Sequence, residues 1–392
     1  MGGKLLTQAL QARGMKRETN LRTAQLVQLI SEIGPDIPEI ARRLGQYKES
    51  VRYRYKERIL DRGLAIQAMV DHEKLGLKRV VIIVDFAAEY HPYAETILTA
   101  MSELSYVVAF EKVLPSGHYI VHASVPGEFV EEYLSLVKNL DAKGFFRLMT
   151  TCTLDWFRNA PMQAQFYDFE TGRWDFDWSS HHSQASVAAA NYLPSEKTGF
   201  DHLDLLLVKE LWLDATRPMA EISKKLNTNY KKLVWHYRTH VIPSQLIKGY
   251  TLRWPGTRYD FKLDRALHRQ HRYFPIDVLV TDISEEERMS LMAKIHRLPF
   301  LWSEAGGRSY FAQLAFPVDF ITEALQYLEG VTSGFGGRAQ MYLPDQTHSL
   351  AFTIGYKLYD EKLGKWTFDP ANVARGFEQL MLRVKERNGE SA

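Results

Sequence analysis

The sequence repeats one long segment after 182 residues, and this repeat restricts the folds that the chain can adopt. The segment that begins at Ile37 aligns without a gap with the segment that begins at Met219. Farther along, GRWDFD at 172–177 matches GKWTFD at 364–369, so the offset has grown to 192. A repeat of this length is a domain duplication, because solenoid repeats are only about 20–50 residues long. We therefore expect two modules of one fold that differ by a few loop insertions.

Each copy begins with three short helices and a hairpin. In the first copy, apolar residues recur every three or four positions over 22–33, 37–44 and 48–60, which indicates amphipathic helices. Gly45 supplies the turn before the third helix and Gly63 ends that helix. The second copy has the same helices at 200–213, 218–226 and 230–242. LAIQAMV and LIKGYTLRW follow the two third helices and predict the wings of two winged helix-turn-helix units.

Strands and helices then follow in the order βαββαβ in both copies, which is typical of a ferredoxin-like sandwich. RVVIIVDF, a continuous apolar run, indicates a buried strand. The predicted class is α+β, a tandem duplication of a winged helix-turn-helix and a ferredoxin-like (RAM/ACT-like) domain. The predicted boundaries are 1–20 for a basic N-terminal arm, 21–77 for the first winged helix-turn-helix, 78–178 for the first ferredoxin-like domain with an extra hairpin, 179–199 for a linker, 200–254 for the second winged helix-turn-helix, and 255–392 for the second ferredoxin-like domain with an extra hairpin and a C-terminal helix.

Positive charge is concentrated on the helix-turn-helix segments, although the net charge of the whole chain is only +2. Eight basic and four acidic residues lie between Glu39 and Gly63, and seven basic residues face one acid between Glu221 and Arg253. Basic side chains on a helix that enters the major groove neutralise phosphates or contact guanine. One such segment would equally be a solvated face, but two copies predict DNA binding. The predicted DNA-contacting residues are Lys48, Glu49, Arg52, Tyr53, Lys56, Tyr230, Lys231, Lys232, Trp235 and Arg238.

The order of these elements resembles the Lrp/AsnC (feast/famine) family of transcription regulators, clearly over 22–150 and more weakly over 200–345. The residues that match the family's wing and the linker after it are Gly63, Ile66, Val70, Asp71, Leu75 and Gly76. The resemblance implies binding of double-stranded DNA and two fused modules that form an intrachain pseudo-dimer, with a further homodimer possible. It also implies an amino-acid-like effector at turns between the sandwich domains, with ordinary hairpin turns as the alternative. Those turns contain Ser116, Gly117, His118, Gly306, Gly307 and Arg308.

Two other functions stay open beside the main prediction, a non-enzymatic transcription regulator with two non-identical recognition helices. Siroheme decarboxylases share this architecture as paired subunits, and the residues that could face a tetrapyrrole are His118, His122, Arg147 and Arg308. A protein-interaction scaffold without DNA binding is the other function, and the retained positive charge argues against it.

Several classes of site are not predicted. His236 and His240 lie four residues apart, but no carboxylate accompanies them at helical spacing, so we interpret them as structural. His181 and His182 are interpreted as solvated linker residues. The single cysteine, Cys152, excludes a disulfide framework and indicates a reducing compartment. No run of about 18 or more apolar residues is present. We therefore predict a cytoplasmic protein with no catalytic residue, no metal and no cofactor.

Overall fold

The computed structural model describes residues 2–178, 197–254 and 273–389. The helices are α1 (Gly2–Ile33), α2 (Ile37–Leu44), α3 (Lys48–Tyr55), α4 (Ala94–Leu104), α5 (Val130–Ala142), α6 (His202–Leu213), α7 (Met219–Lys225), α8 (Tyr230–His236), α9 (Glu285–Ile295), α10 (Ile321–Thr332) and α11 (Pro370–Gly389). The strands are β1 (Ala65–Val70), β2 (Leu77–Phe86), β3 (Val107–Leu114), β4 (Tyr119–Pro126), β5 (Phe146–Leu154), β6 (Trp156–Asn159), β7 (Tyr167–Asp168), β8 (Arg173–Trp174), β9 (Ile247–Arg253), β10 (Tyr273–Val280), β11 (Leu301–Gly306), β12 (Tyr310–Pro317), β13 (Ala339–Ala351), β14 (Tyr359–Asp360) and β15 (Lys365–Trp366).

The helix-turn-helix units form where local signals and apolar spacing agree. The Asp36 carboxylate accepts a hydrogen bond from the Glu39 backbone N–H at 3.2 Å and caps α2, and Gly45 ends that helix with φ +62°. Asn229 caps α8 in the same way, accepting from the Lys231 backbone N–H at 2.8 Å. Val51 and Leu233, at matching positions of the third helices, are fully buried. Both third helices continue into a π-helical turn, at Lys56–Leu60 and Tyr237–Val241.

The two wings pair with each other. β1 and β9 form an antiparallel ribbon in which Ala65 lies opposite Arg253 and Val70 lies opposite Ile247. Helix α1 of the first module packs on β9 of the second, and α6 packs on β1. The fit is tight at Gly249, where an added Cβ would lie 2.6 Å from the backbone oxygen of Ser31. The helix-turn-helix modules are therefore interlocked rather than free to move apart.

The two ferredoxin-like halves share one nine-stranded sheet, in the order β5-β2-β4-β3-β13-β10-β12-β11-β6. Strand β13 is long enough to pair with β10 of its own half and with β3 of the other half. Strand β6 pairs with β11, although only Asp155 separates it from β5 at the opposite end of the order. The chain thus joins both ends of the sheet, so that the sheet curls around an interior.

Alternation along the strands divides the core into two layers. On β2, Val80, Ile82 and Val84 belong to the large core that includes the helices. Val81 and Ile83 point the other way and pack with residues of both halves in the curled interior. The members of this inner cluster are Val81, Ile83, Val113, Ile120, Cys152, Leu154, Leu279, Ala305 and Phe311.

The two extra hairpins, β7–β8 and β14–β15, each carry one buried tryptophan into the other parts of the chain. Trp366 donates its indole N–H to the Leu75 carbonyl oxygen at 2.9 Å, and Trp174 donates to the Tyr273 hydroxyl at 3.2 Å. Helix α11 packs on α4 and α5, with the Phe377 and Phe145 rings 5.1 Å apart. The hairpins therefore fasten the two modules together.

The α+β class and the duplicated winged helix-turn-helix plus ferredoxin-like architecture are confirmed. The histidines at 181–182 and nearly all of the predicted linker at 179–199 lie outside the described residues. Within the described part of the chain, no helix combines the length and the apolar character needed to cross a membrane.

Candidate active site

A cleft opens where the inner faces of the two ferredoxin-like halves meet. Its interior volume is about 60 Å³, which is below the roughly 300–1,000 Å³ of a site for a small organic molecule. The polar residues of its lining are Gln67, Arg79, His122, Asn159, Arg253, Ser303, Glu304, Gln313 and Thr353, and the aromatic ones are Phe157, Trp212, Trp302, Phe311 and Phe352.

A chain of buried polar groups crosses the back of this cleft. The Ser303 hydroxyl donates to Gln313 Oε1 at 2.6 Å, and Gln313 Nε2 donates to Glu111 Oε1 at 3.0 Å. His122 Nε2 lies 3.8 Å from the same Glu111 oxygen, and its imidazole packs against the Phe311 ring with centroids 5.2 Å apart. Glu111 is fully buried and His122 is 4% exposed. Because buried ionisable groups are costly, their presence here indicates a function beyond packing.

The duplication shows that this arrangement is asymmetric. Tyr119 and Tyr310 pair with the equivalent residues Val84 and Val280, so His122 and Gln313 stand at matching positions of β4 and β12. One half therefore supplies an imidazole, which can transfer a proton, where the other half supplies a carboxamide, which cannot. The two halves have diverged at the position nearest Glu111.

Asp277 on β10 adds a second buried carboxylate. A ligand atom from each of Glu111, His122 and Asp277 lies within 4.8 Å of the other two. Such a group can share a proton or hold a divalent cation, because carboxylate and imidazole serve both purposes.

Two arginines lie at the sides of the cleft, each against an aromatic ring. The Arg79 guanidinium carbon is 4.0 Å from the centroid of Phe157, and that of Arg253 is 3.7 Å from the centroid of Trp302. Arg253 also donates to Asn159 Oδ1 at 3.1 Å. Stacked guanidinium groups of this kind recognise carboxylates with fixed geometry.

The segment that joins β1 to β2 packs against the lining of the cleft. His72 is buried there, within hydrogen-bonding distance of the Ser124 hydroxyl at 3.2 Å and 5.0 Å from the Phe157 ring centroid. Burial, and then the positive charges of Arg79 and Lys248, hold the pKa of His72 well below its ordinary value. Folding therefore keeps His72 neutral.

Acid should destabilise the protein through His72. The unfolded chain takes up a proton on this side chain below about pH 6.5, whereas the folded chain does not, so the free energy of unfolding falls as the pH falls. At pH 5.5 the loss amounts to about 1.4 kcal/mol from this residue alone. Denaturant titrations of the wild type and His72→Asn at pH 7.5 and 5.5 measure it. A variant whose stability falls between these pH values as steeply as the wild type's would contradict this assignment.

All ten side chains predicted to contact DNA are exposed on the outer faces of the helix-turn-helix units. Much of the positive charge counted around them, however, is neutralised or turned inward. Arg52 pairs with Glu49 at 2.7 Å, and Lys225 pairs with the buried Glu210 at 2.8 Å. Lys248 and Arg253 on the second wing, both counted in the basic excess, contact Glu73 and Gln67 inside the protein.

The turns predicted to bind an effector lie beside other parts of this chain. An added Cβ at Gly306 would lie 2.4 Å from the Trp156 ring, and one at Gly307 would lie 2.8 Å from Asp155 Oδ2. Those glycines permit the crossing of β6 onto β11. Gly117, at φ +77°, faces the His91 ring, and its carbonyl oxygen is 3.3 Å from His91 Nε2. Ser116 and His118 flank it on the same turn.

Of the four residues named for a tetrapyrrole enzyme, only His122 lines the cleft. His118 Nε2 and Arg147 Nη2 lie 3.8 and 3.1 Å from Asp85 Oδ2, and Arg308 lies on the surface near Asp282. The sequence reasoning missed Arg79, Glu111, Asp277 and Gln313. A sequence signal for them exists, since each is a polar residue in a mostly apolar strand, where an unpaired group would be costly.

No family model matches this sequence, and neither does any curated protein. Among solved structures, the chain is similar to the siroheme decarboxylase NirDL, with 11% identity, a TM-score of 0.50, and coverage of 93% of this chain and 99% of that one. A transcriptional regulatory protein of the AsnC family from Pyrococcus furiosus is 18% identical over 37% of this chain and 88% of its own, with a TM-score of 0.25. A chlorite dismutase from Candidatus Nitrospira defluvii is 8% identical over 70% of this chain and 95% of its own, with a TM-score of 0.29. The chain shares the fold of the siroheme decarboxylase structure.

The prediction of a non-enzymatic DNA-binding regulator is wrong. A protein whose structure matches 93% of this chain is an enzyme, a siroheme decarboxylase. The helix-turn-helix architecture on which the prediction rested occurs in that enzyme as well, so the architecture does not specify DNA reading.

Proposed function

We propose that this protein is a decarboxylase that acts on siroheme or a similar tetrapyrrole with several carboxylate side chains. The observation that carries the proposal is the buried His122–Glu111 pair at the back of a cleft between the two ferredoxin-like halves. The fold shared with a siroheme decarboxylase over nearly the full chain supports it. So do the arginines at the sides of the cleft, because the substrate would be a polyanion.

A flat macrocycle would have to widen this narrow cleft, whose lining offers surfaces for the ring as well as for its charges. The Trp212, Trp302, Phe311 and Phe352 side chains border it together with aliphatic residues of both halves. Aromatic faces bind large planar molecules through stacking and burial of apolar surface. Arg79 and Arg253 would bind peripheral carboxylates and fix the orientation of the ring.

Decarboxylation requires one proton at the carbon that loses CO₂. The bond between that carbon and the carboxylate breaks, its electron pair stays on the carbon, and a proton from His122 completes the new C–H bond. Glu111, 3.8 Å from His122 Nε2, would stabilise the protonated imidazole before the transfer. The apolar inner cluster beside it excludes water, and this favours the conversion of the charged carboxylate into neutral CO₂.

Incubation with siroheme under anaerobic conditions tests the proposal directly. We expect the Soret band to change on binding and CO₂ to be released, with a product that mass spectrometry shows to have lost carboxyl groups. Equimolar heme, which has fewer carboxylates, is the comparison ligand. A protein that leaves both the siroheme spectrum and its mass unchanged would not be a siroheme decarboxylase.

Arg79→Met should weaken siroheme binding by about 10–100-fold, which corresponds to the loss of a charge-assisted hydrogen bond worth about 1.5–3 kcal/mol. Methionine keeps much of the side-chain length against Phe157 while the charge is lost. Titration of the Soret change gives the affinity. Arg147→Met is the matched control, because Arg147 is 71% exposed and lies outside the cleft. Equal losses in the two variants would show that general charge, not the cleft arginine, holds the ligand.

A further inference from the structure

We propose that the second helix-turn-helix module contains a binding site for a divalent transition-metal ion, formed by Asp201, Asp204, His236 and His240. One ligand atom from each residue lies within 4.8 Å of the other three. None of the four residues lines the cleft, so the metal site is independent of the proposed decarboxylase activity.

The ligands come from two helices that meet at their ends. Asp201 caps α6 and Asp204 lies in its first turn, where each carboxylate accepts a hydrogen bond from the other's backbone N–H at 3.0 Å. His236 is the last residue of α8, and His240 lies in the π-helical turn that follows it. Residues four apart lie on one side of a helix, and both imidazoles face α6, with centroids 4.8 Å apart.

The distances approach those of a tetrahedral site. His236 Nδ1 lies 2.9 Å from Asp204 Oδ1 and 3.6 Å from Asp201 Oδ2, and His240 Nδ1 lies 3.1 Å from Asp204 Oδ2. In a tetrahedral zinc site with bonds of about 2.0–2.2 Å, neighbouring ligand atoms are about 3.3–3.6 Å apart. Since the ligand atoms lie within 4.8 Å of one another, shifts of up to about 1 Å would arrange the group around an ion.

The chemistry of the ligands selects the class of ion. Two imidazole nitrogens and two carboxylates, with no thiolate, favour Zn²⁺, Co²⁺ or Ni²⁺ over Cu⁺ and over the all-oxygen preference of Ca²⁺. Asp204 is fully buried, whereas Asp201 and His240 have side chains that are 51% and 34% exposed. The site thus has a fixed inner carboxylate and an entry path from solvent.

The first module lacks this site. At the offset of 182, Arg54 and Arg58 stand where the second module has His236 and His240, and arginine does not coordinate metal ions. The first module therefore serves as an internal comparison that lacks the two histidine ligands. The sequence reasoning dismissed the histidine pair because its carboxylates are not on the same helix, and only the packing of α6 against α8 supplies them.

Titration of the metal-free full-length protein with Co²⁺ tests the proposal without any tetrapyrrole. We expect visible absorption bands of a tetrahedral Co²⁺ complex, and quenching of the fluorescence of Trp235, whose ring is 4.7 Å from that of His240. Trp235→Phe identifies the quenched residue. Competition by Zn²⁺ should abolish the bands.

His240→Ala and Asp201→Asn should each weaken Co²⁺ binding by about 100-fold or more, because loss of a hydrogen-bond partner behind a ligand already costs about 10–100-fold. Both positions are partly exposed, and thermal unfolding without metal establishes that each variant is folded. His202→Ala is the matched control. His202 is the first residue of α6 and pairs with Glu361, but it is not one of the four proposed ligands. The proposal is overturned if the wild type shows no Co²⁺ bands, or if both variants bind Co²⁺ as tightly as the control does.

Discussion

Replacing His122 with glutamine is expected to lower the rate of CO₂ release from siroheme by about 10²–10⁴-fold, the usual contribution of a positioned general acid. Glutamine is the side chain that the other half carries at the matching position, Gln313, so the cleft already accommodates this group beside Glu111. It can donate a hydrogen bond but cannot deliver a proton to carbon. Single-turnover measurements of CO₂ release, with the protein in excess over siroheme, give the rate.

Two further measurements make this result specific. Siroheme affinity of His122→Gln should stay within a few-fold of wild type, because the arginines that bind carboxylates are unchanged. His118→Gln should retain wild-type rates, since that residue lies 3.8 Å from Asp85 and outside the cleft. Wild-type turnover in His122→Gln would show that another group supplies the proton, and His122 would lose its assigned role.

Replacing Lys248 with methionine is expected to lower the free energy of unfolding at pH 7 by about 3–5 kcal/mol. The Lys248 ammonium lies 3.1 Å from Asp71 and 3.0 Å from Glu73, whose side chains are only 1% and 4% exposed. Burial raises the pKa of Glu73, and the charge of Lys248 opposes that change. Without the lysine, two carboxylates would remain close together in a buried place. Denaturant titration followed by circular dichroism gives the stability.

A triple variant separates lost charge compensation from lost packing. Combining Lys248→Met with Asp71→Asn and Glu73→Gln should recover much of the stability, because a neutral group is less costly to bury than an unpaired charge. Lys232→Met on the exposed face of α8 serves as the control. A loss below about 1 kcal/mol for Lys248→Met would mean that this ion pair behaves like one on the surface, and that it does not hold the wing.

The positions of Lys248 and Arg253 in the fold explain why the count of basic residues led to a wrong functional prediction. Both belong to the basic excess of the second helix-turn-helix segment, and the sequence shows no difference between them and the exposed Lys231 or Lys232. In the folded chain β9 pairs with β1, and the two side chains meet Glu73 and Gln67 from the other module. A count of local charge cannot include partners that lie about 175 or more residues away.

The sequence by itself determined the duplication and the order of elements. The elements follow from local signals, because helix caps such as Asp36, apolar spacing and the continuous apolar run RVVIIVDF act within a few residues. The two candidate sites, in contrast, are formed only by the tertiary structure. Glu111 and Gln313 are 202 residues apart and Asp204 and His236 are 32 apart, yet each pair is joined by one hydrogen bond. These contacts form only when particular strands and helices pack together. The free energy of that packing comes from burial of the whole interface, and not from the few residues that form the candidate sites.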